Sequence, residues 1–268
     1  EFKDVRRSVR KRAMVLEKLG NQKNTQSVSL ISIHEHEIPT EFSAEAIDLA
    51  AAAKPALLDG DRTDMRDINL ITIDGSDARD FDDAVWAEKD QAKNNEDGWR
   101  IIVAIADVAH YVKPNDALDI DARKRGNSVY FPDRVVPMLP EALSNGMCSL
   151  RPDEDRACLA VQIIIDNKGK KLSHKFFRGL MRSKARVTYE DLQSIFASKE
   201  KVRDSESFIA RLAVPLYGAF NALHTARIKR GALDIEVPEM QVQLDTKGNV
   251  ESIKDRDRLD SHRLIEEF

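Results

Sequence analysis

Five aspartates fall within ten residues at Asp74-Gly75-Ser76-Asp77-Ala78-Arg79-Asp80-Phe81-Asp82-Asp83, and Arg79 is the one cation among them. Carboxylates crowded in this way repel each other, so some must protonate or a cation must sit among them. A hard divalent ion with oxygen ligands meets that need, and Mg²⁺ favours a few carboxylates together with water and substrate phosphate. A solvated acidic turn is the plainer reading, since charged side chains are mostly exposed. The flanks weigh against it. Leu70-Ile71-Thr72-Ile73 leads in and Ala84-Val85-Trp86-Ala87 leads out, two apolar runs that read as buried strands joined by a functional loop. A calcium loop of EF-hand type is set aside, because its register of alternating carboxylates, central Gly and twelfth-position Glu does not start from Asp74 or Asp77.

The elements that must hold this loop can be read in chain order. Ala13–Leu16 and Val28–Ile33 read as strands around a polar turn at Gly20–Gln26, with His34 and His36 two apart at the end of the second. Those histidines lack further nearby ligands, and a structural or solvent-facing role is favoured for them. Ser43 is a plausible N-cap for an Ala-rich helix to Lys54, and Asp59–Asp67 is a linker. After the acidic loop, Val85–Ala87 and Trp99–Ile105 form a hairpin. The run Ile101–Ala106 is apolar on both faces and reads as a central strand. Asp107 closes it, as a secondary site candidate or a local cap. Pro114–Arg125 is helix-prone. Pro132, Pro137 and Pro140 stiffen the loop that follows, where Tyr130 could stack on a nucleobase, although a packed core aromatic is the commoner outcome. Leu159–Ile165 and Leu172–Arg182 make a second hairpin around Asp166-Asn167-Lys168-Gly169. Thr188 opens a helix to Phe196. The longest helix, about Ser205–Lys229, carries Phe208, Leu212, Leu216, Phe220 and Leu223 on one stripe and stops at Gly231. Strands are expected at Leu233–Val237, Met240–Leu244 and Val250–Ile253. Ser261–Phe268 looks like the opening of an amphipathic helix without a stop signal, which reads as a fragment of a larger domain.

Composition bounds the function. The chain has 268 residues, 42% hydrophobic and 33% charged, as a soluble globular protein does. No run approaches the roughly 18 apolar residues of a membrane span, and Glu1-Phe2-Lys3-Asp4 does not start a secretory signal. Cys148 and Cys158 lie ten apart, without metal-type spacing, and read as buried thiols in a reducing compartment, taken to be cytoplasmic, with a disulfide as the minority reading. A net charge of −4 argues against a wholly basic nucleic-acid binder. Its distribution leaves basic stretches at Arg6–Arg12, at Arg178, Arg182, Lys184 and Arg186, and at Arg227–Arg230. Basic patches beside an acidic metal site suit a phosphodiester; solvated lysines and arginines on ordinary faces are an equally weighted alternative.

Several stretches, in order, resemble the catalytic (RNB) domain of the ribonuclease II/ribonuclease R family, the bacterial ribonuclease R branch most closely. They are Thr72–Val85 around the aspartates, Val103–Val108, Ser128–Pro132, Pro137–Gly146, Cys148–Leu150, Arg230–Leu233 and Leu264–Glu267. The resemblance implies an α+β fold, with a mixed-sheet RNB domain over 68–268, truncated on its C-terminal side. A helix and linker would occupy 41–67, and a remnant of an OB-type cold-shock domain 1–40. It implies processive 3′→5′ hydrolysis of single-stranded RNA to nucleoside 5′-monophosphates, with Mg²⁺, or Mn²⁺, as cofactor, RNA as partner and other RNA-decay proteins as further partners. Asp74, Asp80 and Asp83 would mainly bind metal, and Asp82 would be the indispensable carboxylate near the second metal. Tyr130 would stack on the 3′ nucleotide and Glu266 would lie near its base or ribose. Ile235 falls where some relatives carry a clamp aromatic, so the base clamp here is weaker or built otherwise. The expected RNA channel is incomplete: an arginine on the scissile phosphate and a C-terminal S1 domain would lie outside these residues. Rival readings are an RNA-binding protein that no longer catalyses, and a metal-dependent DNA nuclease or phosphatase.

Overall fold

The computed structural model describes residues 2–3, 12–15, 18, 25–197, 207–235 and 237–268. Its centre is a mixed seven-stranded sheet. The strands, in chain order, are β3 (Arg62–Asp64), β4 (Ile71–Asp74), β5 (Asp83–Lys89), β6 (Trp99–Ala106), β9 (Asp155–Ile165), β10 (Lys171–Arg182) and β11 (Ala185–Thr188). Across the sheet they lie in the order β11-β4-β5-β6-β9-β10-β3. Four consecutive pairings from β4 to β10 are antiparallel; the two outermost, β11 on β4 and β3 on β10, are parallel. The run Ile101–Ala106 takes the middle of the sheet, as its two-sided apolar character requires.

Period-2 alternation sends each strand's side chains to two different cores. One face carries Ala84, Ile102, Ala104, Cys158 and Met181, covered by α2 (Ala44–Ala51), α3 (Ala117–Arg125) and the segment around Leu143 and Leu150. The other carries Ile71, Ile73, Val85, Ala87 and Ile101, under α4 (Tyr189–Ala197), α5 (Phe208–Lys229) and α6 (Asp260–Glu267). Ser43 caps α2 as expected, its hydroxyl accepting from Ala46 N–H at 3.3 Å. Helix α5 turns inward the stripe its large residues outline: Leu216 and Phe220 are buried and Leu212 and Leu223 pack against the same core, with Ala210, Ala213 and Tyr217 buried beside them, while Phe208 at its start is 38% exposed. Alanines let the helix lie close to the sheet. The residues 198–206, including the expected start of this helix, lie outside the described ones.

Two expected strands are corrected. Val28–Ile33 is not a strand but part of helix α1 (Thr25–Glu35). Its Val-Ser-Leu-Ile-Ser-Ile pattern alternates like a strand, yet Ser29, Leu30 and Ile33 also share a helical face, and that face wins. His34 and His36 therefore sit on and just after a helix, exposed. Among the described residues of 1–40, the other regular structure is the short ladder of β1 (Phe2–Lys3) with β2 (Arg12–Ala13). The stiff loop after α3 holds a two-residue ladder, β7 (Val129–Tyr130) on β8 (Val135–Val136). Leu233–Ile235 and Val237 are not a strand: no partner strand meets them among the described residues, and Leu233, Ile235 and Val237 are largely exposed. The next two strands do form a hairpin, β12 (Met240–Leu244) on β13 (Val250–Asp255).

Asp107 is neither a cap nor a free site carboxylate. It is buried, and its Oδ2 meets Arg62 Nη2 at 2.8 Å, with both side chains less than 5% exposed. The same guanidinium donates to the Gly179 carbonyl at 3.2 Å. The pair ties β3 and β10 to the end of β6. Removing one partner of a buried, hydrogen-bonded ion pair leaves an uncompensated charge, at a cost of about 3–5 kcal/mol. Asp107→Ala is accordingly expected to lower unfolding free energy by that amount in urea; a loss below about 1 kcal/mol would show that solvent reaches Arg62.

Candidate active site

The acidic loop lies at one end of the sheet, between the last residue of β4 and the first of β5, as the apolar flanks foretold. It is pinned from three directions. Phe81 is buried, its N–H donating to Ser149 Oγ at 3.1 Å and its carbonyl accepting from Leu150 N–H at 2.8 Å. The Asp82 carbonyl accepts from Ala106 N–H at 2.9 Å. From β11, Arg186 Nη2 donates to the carbonyls of Gly75, Ser76 and Ala78 at 2.9, 3.0 and 3.4 Å, and the guanidinium lies 5.0 Å from the Phe81 ring centroid. The loop's carboxylates are thus held on a fixed backbone rather than on a free turn.

Ser149 makes that clamp testable. It is fully buried, and its own carbonyl accepts from Arg156 Nε at 2.9 Å. Ser149→Ala strands the Phe81 amide, a loss of about 1–3 kcal/mol. We expect the variant to unfold at lower urea concentration and to show faster amide exchange at Phe81 and Asp82; unchanged exchange would mean that the Leu150 contact alone holds the loop.

The four aspartates form a chain of like charges. Burial, then the charge of Asp83, raises the Asp74 carboxyl to about 7. The Thr72 hydroxyl, two residues back on the same strand face, pulls the other way without reaching hydrogen-bond geometry. Asp83 is raised by burial and by Asp82, and Asp82 by its crowded surroundings and by Asp80. Asp82 keeps an exposed surface despite that crowding. Asp74 Oδ2 is buried with no hydrogen-bond partner. Among the described residues no three His, Cys, Asp or Glu side chains converge tightly enough to form a ready-made metal cage.

An open cleft of about 670 Å³ borders the loop. Asp74, Asp77 and Asp80 form one wall, the β7–β8 turn another, and Arg79, Arg134 and Arg256 supply positive charge. Tyr130 is no core residue. It is 65% exposed and its hydroxyl donates to Asp80 Oδ2 at 3.3 Å. Arg256, at the start of the segment leading to α6, was not marked by any sequence pattern; it reaches the cleft because Glu239 anchors it, the Glu239 carbonyl accepting its N–H at 2.8 Å. Glu266 stands apart. Arg258 grips its carboxylate through Nε and Nη2 and holds it below the usual range, in a separate small recess with Asp234 and Arg227.

The basic stretch from Arg178 to Arg186 is committed within the fold: Arg178 lies 3.8 Å from Asp107, Arg182 pairs with Asp155 at 2.7 Å, Lys184 donates to the Arg66 carbonyl at 2.7 Å, and Arg186 holds the loop. It is not a free patch for a polyanion. The residues before Arg12 in the first basic run lie outside the described ones. Cys148 and Cys158 are free thiols, buried and pushed up to about 12 by that burial, which makes them inert packing groups.

Residues 62–268 match the family model of the RNB domain. The chain belongs to the RNB family. Ribonuclease R of Escherichia coli (strain K12) is 40% identical over 256 residues, 94% of this chain and 31% of the relative. Ribonuclease R of Vibrio cholerae is 41% identical over 267 residues, 97% of this chain and 32% of the relative. Among solved structures, Mycoplasma genitalium RNase R in complex with ribose-methylated single-stranded RNA superposes with a TM-score of 0.82 at 27% identity, covering 93% of this chain and 38% of that one. The chain thus spans about a third of the length of the curated relatives it matches. The seven-stranded mixed sheet described above is the RNB-type α+β fold.

Proposed function

We propose that this RNB domain is the catalytic part of a 3′→5′ exoribonuclease that shortens single-stranded RNA from its 3′ end in cytoplasmic RNA turnover, releasing nucleoside 5′-monophosphates. The observation that carries the reading is the row of carboxylates Asp74, Asp83 and Asp82, each raised by burial and by the charge of a neighbouring aspartate, with Asp80 the neighbour of Asp82, fixed on a clamped loop beside an exposed tyrosine and an arginine-lined cleft. A fold retains such repulsion where a cation or a reaction uses it. The 40% identity to a protein named ribonuclease R, and the RNA in a structural relative, support the substrate.

The residues fit a hard divalent ion, Mg²⁺ or Mn²⁺. All candidate donors are carboxylate oxygens, and Asp74 Oδ2 is a buried acceptor with nothing to accept from. Asp74, Asp80, Asp82 and Asp83 would hold it. When bound, the ion makes water more acidic and offsets charge on the phosphoryl oxygens. The chain's own groups account for the rest. Tyr130 offers an exposed ring for the terminal base to stack on. Asp82, open to the solvent and raised in pKa, can take the proton of the attacking water at its carboxylate oxygen. As the water oxygen bonds to phosphorus, the bond to the 3′ oxygen of the preceding nucleotide breaks, and that oxygen takes a proton to leave a new 3′ hydroxyl. Arg256 and Arg134 face the cleft as phosphate-orienting cations. Glu266 lies in its own recess, gripped by Arg258, and its assignment to the terminal base or ribose rests on the family resemblance.

The test is digestion of 5′-labelled single-stranded RNA with Mg²⁺, beside EDTA and a DNA of matched sequence. Stepwise shortening of RNA alone, lost in EDTA, is expected. Equal cleavage of DNA would move the reading to a general nuclease, and binding without cleavage would make these residues an RNA-binding unit.

A further inference from the structure

At the end of the sheet opposite the acidic loop, an open groove of about 690 Å³ runs between the strand ends and α5. Three segments far apart in sequence each bring one lysine to it: Lys89 at the end of β5, Lys168 in the β9–β10 turn, and Lys229 at the end of α5. Among the described lining residues the one carboxylate is that of Asp97. Lys89 is held in place, its Nζ donating to the Asp97 carbonyl at 2.8 Å and lying 3.8 Å from the Trp99 ring centroid. Asp166 closes the β9–β10 turn, its Oδ1 accepting from the Lys168 and Lys170 amides at 2.9 Å each. Among the described residues neither Lys168 nor Lys229 forms an ion pair within 4 Å. Asn221 and Thr225 add neutral polar groups along α5.

The walls are preformed. A Cβ on Gly169 would lie 2.2 Å from the Ala222 carbonyl oxygen, and φ there is +76°; one on Gly218 would lie 2.2 Å from Trp99 Cη2. Glycine at both positions lets the turn and the indole press against α5. Cations brought from three elements with fixed backbones, in a groove open along its length, suit an extended polyanion better than an enclosed small molecule. From Asp83 to Lys89 the strand β5 advances six residues, about 20 Å, so one flexible polyanion can reach both ends.

We propose that this groove binds the phosphate backbone of single-stranded RNA upstream of the nucleotide held at the acidic loop. The proposal rests on the exoribonuclease reading for its choice of polyanion. Contact is electrostatic and indifferent to base sequence.

The test uses the whole chain carrying Asp82→Asn, so that RNA persists, and measures anisotropy of labelled RNAs of about four and about twelve nucleotides across a salt series. Adding Lys168→Glu with Lys229→Glu should weaken binding of the long RNA about tenfold and leave the short one unchanged. Lys168→Gln with Lys229→Gln should reduce the slope of log affinity against log salt by about 1.4, two contacts at about 0.7 each. Matching melting temperatures will show that both variants are folded. Unchanged affinity and slope for the long RNA would overturn the groove. So would failure of the parent chain to bind long RNA, or displacement of that RNA by polyglutamate as readily as by unlabelled RNA, which would assign the groove to an acidic protein. Residual cleavage by the Asp82→Asn parent bears on the catalytic reading alone.

Discussion

Asp82→Asn is expected to reduce Mg²⁺-dependent RNA shortening by about 10³-fold or more while leaving the fold intact. The size follows from what is lost. An amide cannot take a proton from water, a contribution of about 10²–10⁴ by itself, and it removes one negative ligand from the cation's neighbourhood. The fold should tolerate the change, because the backbone of Asp82 makes the structural contact through its carbonyl to Ala106 N–H, whereas the side chain keeps an exposed surface. Replacing one member of a row of repelling carboxylates also relieves Asp83, whose carboxyl Asp82 raises. Thermal melting in EDTA should therefore be equal to or higher than that of the parent. The informative control is Asp77→Asn: Asp77 lines the cleft with Asp74 and Asp80 but is not among the charges that act on Asp74, Asp82 or Asp83, and its loss should leave activity within a few fold. If Asp77→Asn proves as damaging as Asp82→Asn, the loop acts through its total charge and not through a placed carboxylate.

The loop could be read from sequence because its signal is local. Apolar runs on both sides of a Gly/Ser/Asp break leave few ways to fold other than strand, loop, strand, and the pairing of Asp83–Lys89 with Trp99–Ile105 follows from the hairpin between them. What lay hidden depended on partners distant in sequence. Asp107 looked like a site carboxylate until β3, 45 residues earlier, brought Arg62 to it. The alternating cations of β10 and β11 looked free until the sheet order set Arg182 beside Asp155 and Arg186 over the acidic loop. Tyr130 could as well have been core, and only the two-residue β7–β8 ladder turns it outward. Arg256 carried no signal, since a lone arginine in a polar stretch gains meaning from Glu239 and from the cleft it faces. In Val28–Ile33 and Leu233–Val237 the same apolar alternation misled for two reasons: the first has a competing helical face, and the second finds no neighbouring strand to pair with among the described residues.

The repulsion that makes the site useful should also be measurable as instability. A carboxyl whose folded pKa lies above its unfolded value near 3.9 binds more protons when folded, so stability falls as pH rises through the interval between the two. Asp74, raised to about 7 by burial and then by Asp83, places that interval at about pH 4–7 in the absence of a cation. The folded chain in EDTA should thus lose on the order of 2 kcal/mol between pH 5 and pH 8 from this group, after allowance for its partial hydration. Other groups titrate over the same range, so the measurement is a difference. Asp74→Asn abolishes the titration, and its melting temperature in EDTA should exceed that of the parent at pH 8 and converge with it towards pH 4. A divalent ion should raise the parent's stability at pH 8 and have little effect on the variant, because ligand binding to the folded state adds stability only where the site exists. Parallel pH profiles for the two proteins in EDTA would mean that Asp74 titrates normally. The carboxylate row would then be no more than an exposed acidic turn, and its claim to hold a cation would lose its physical basis.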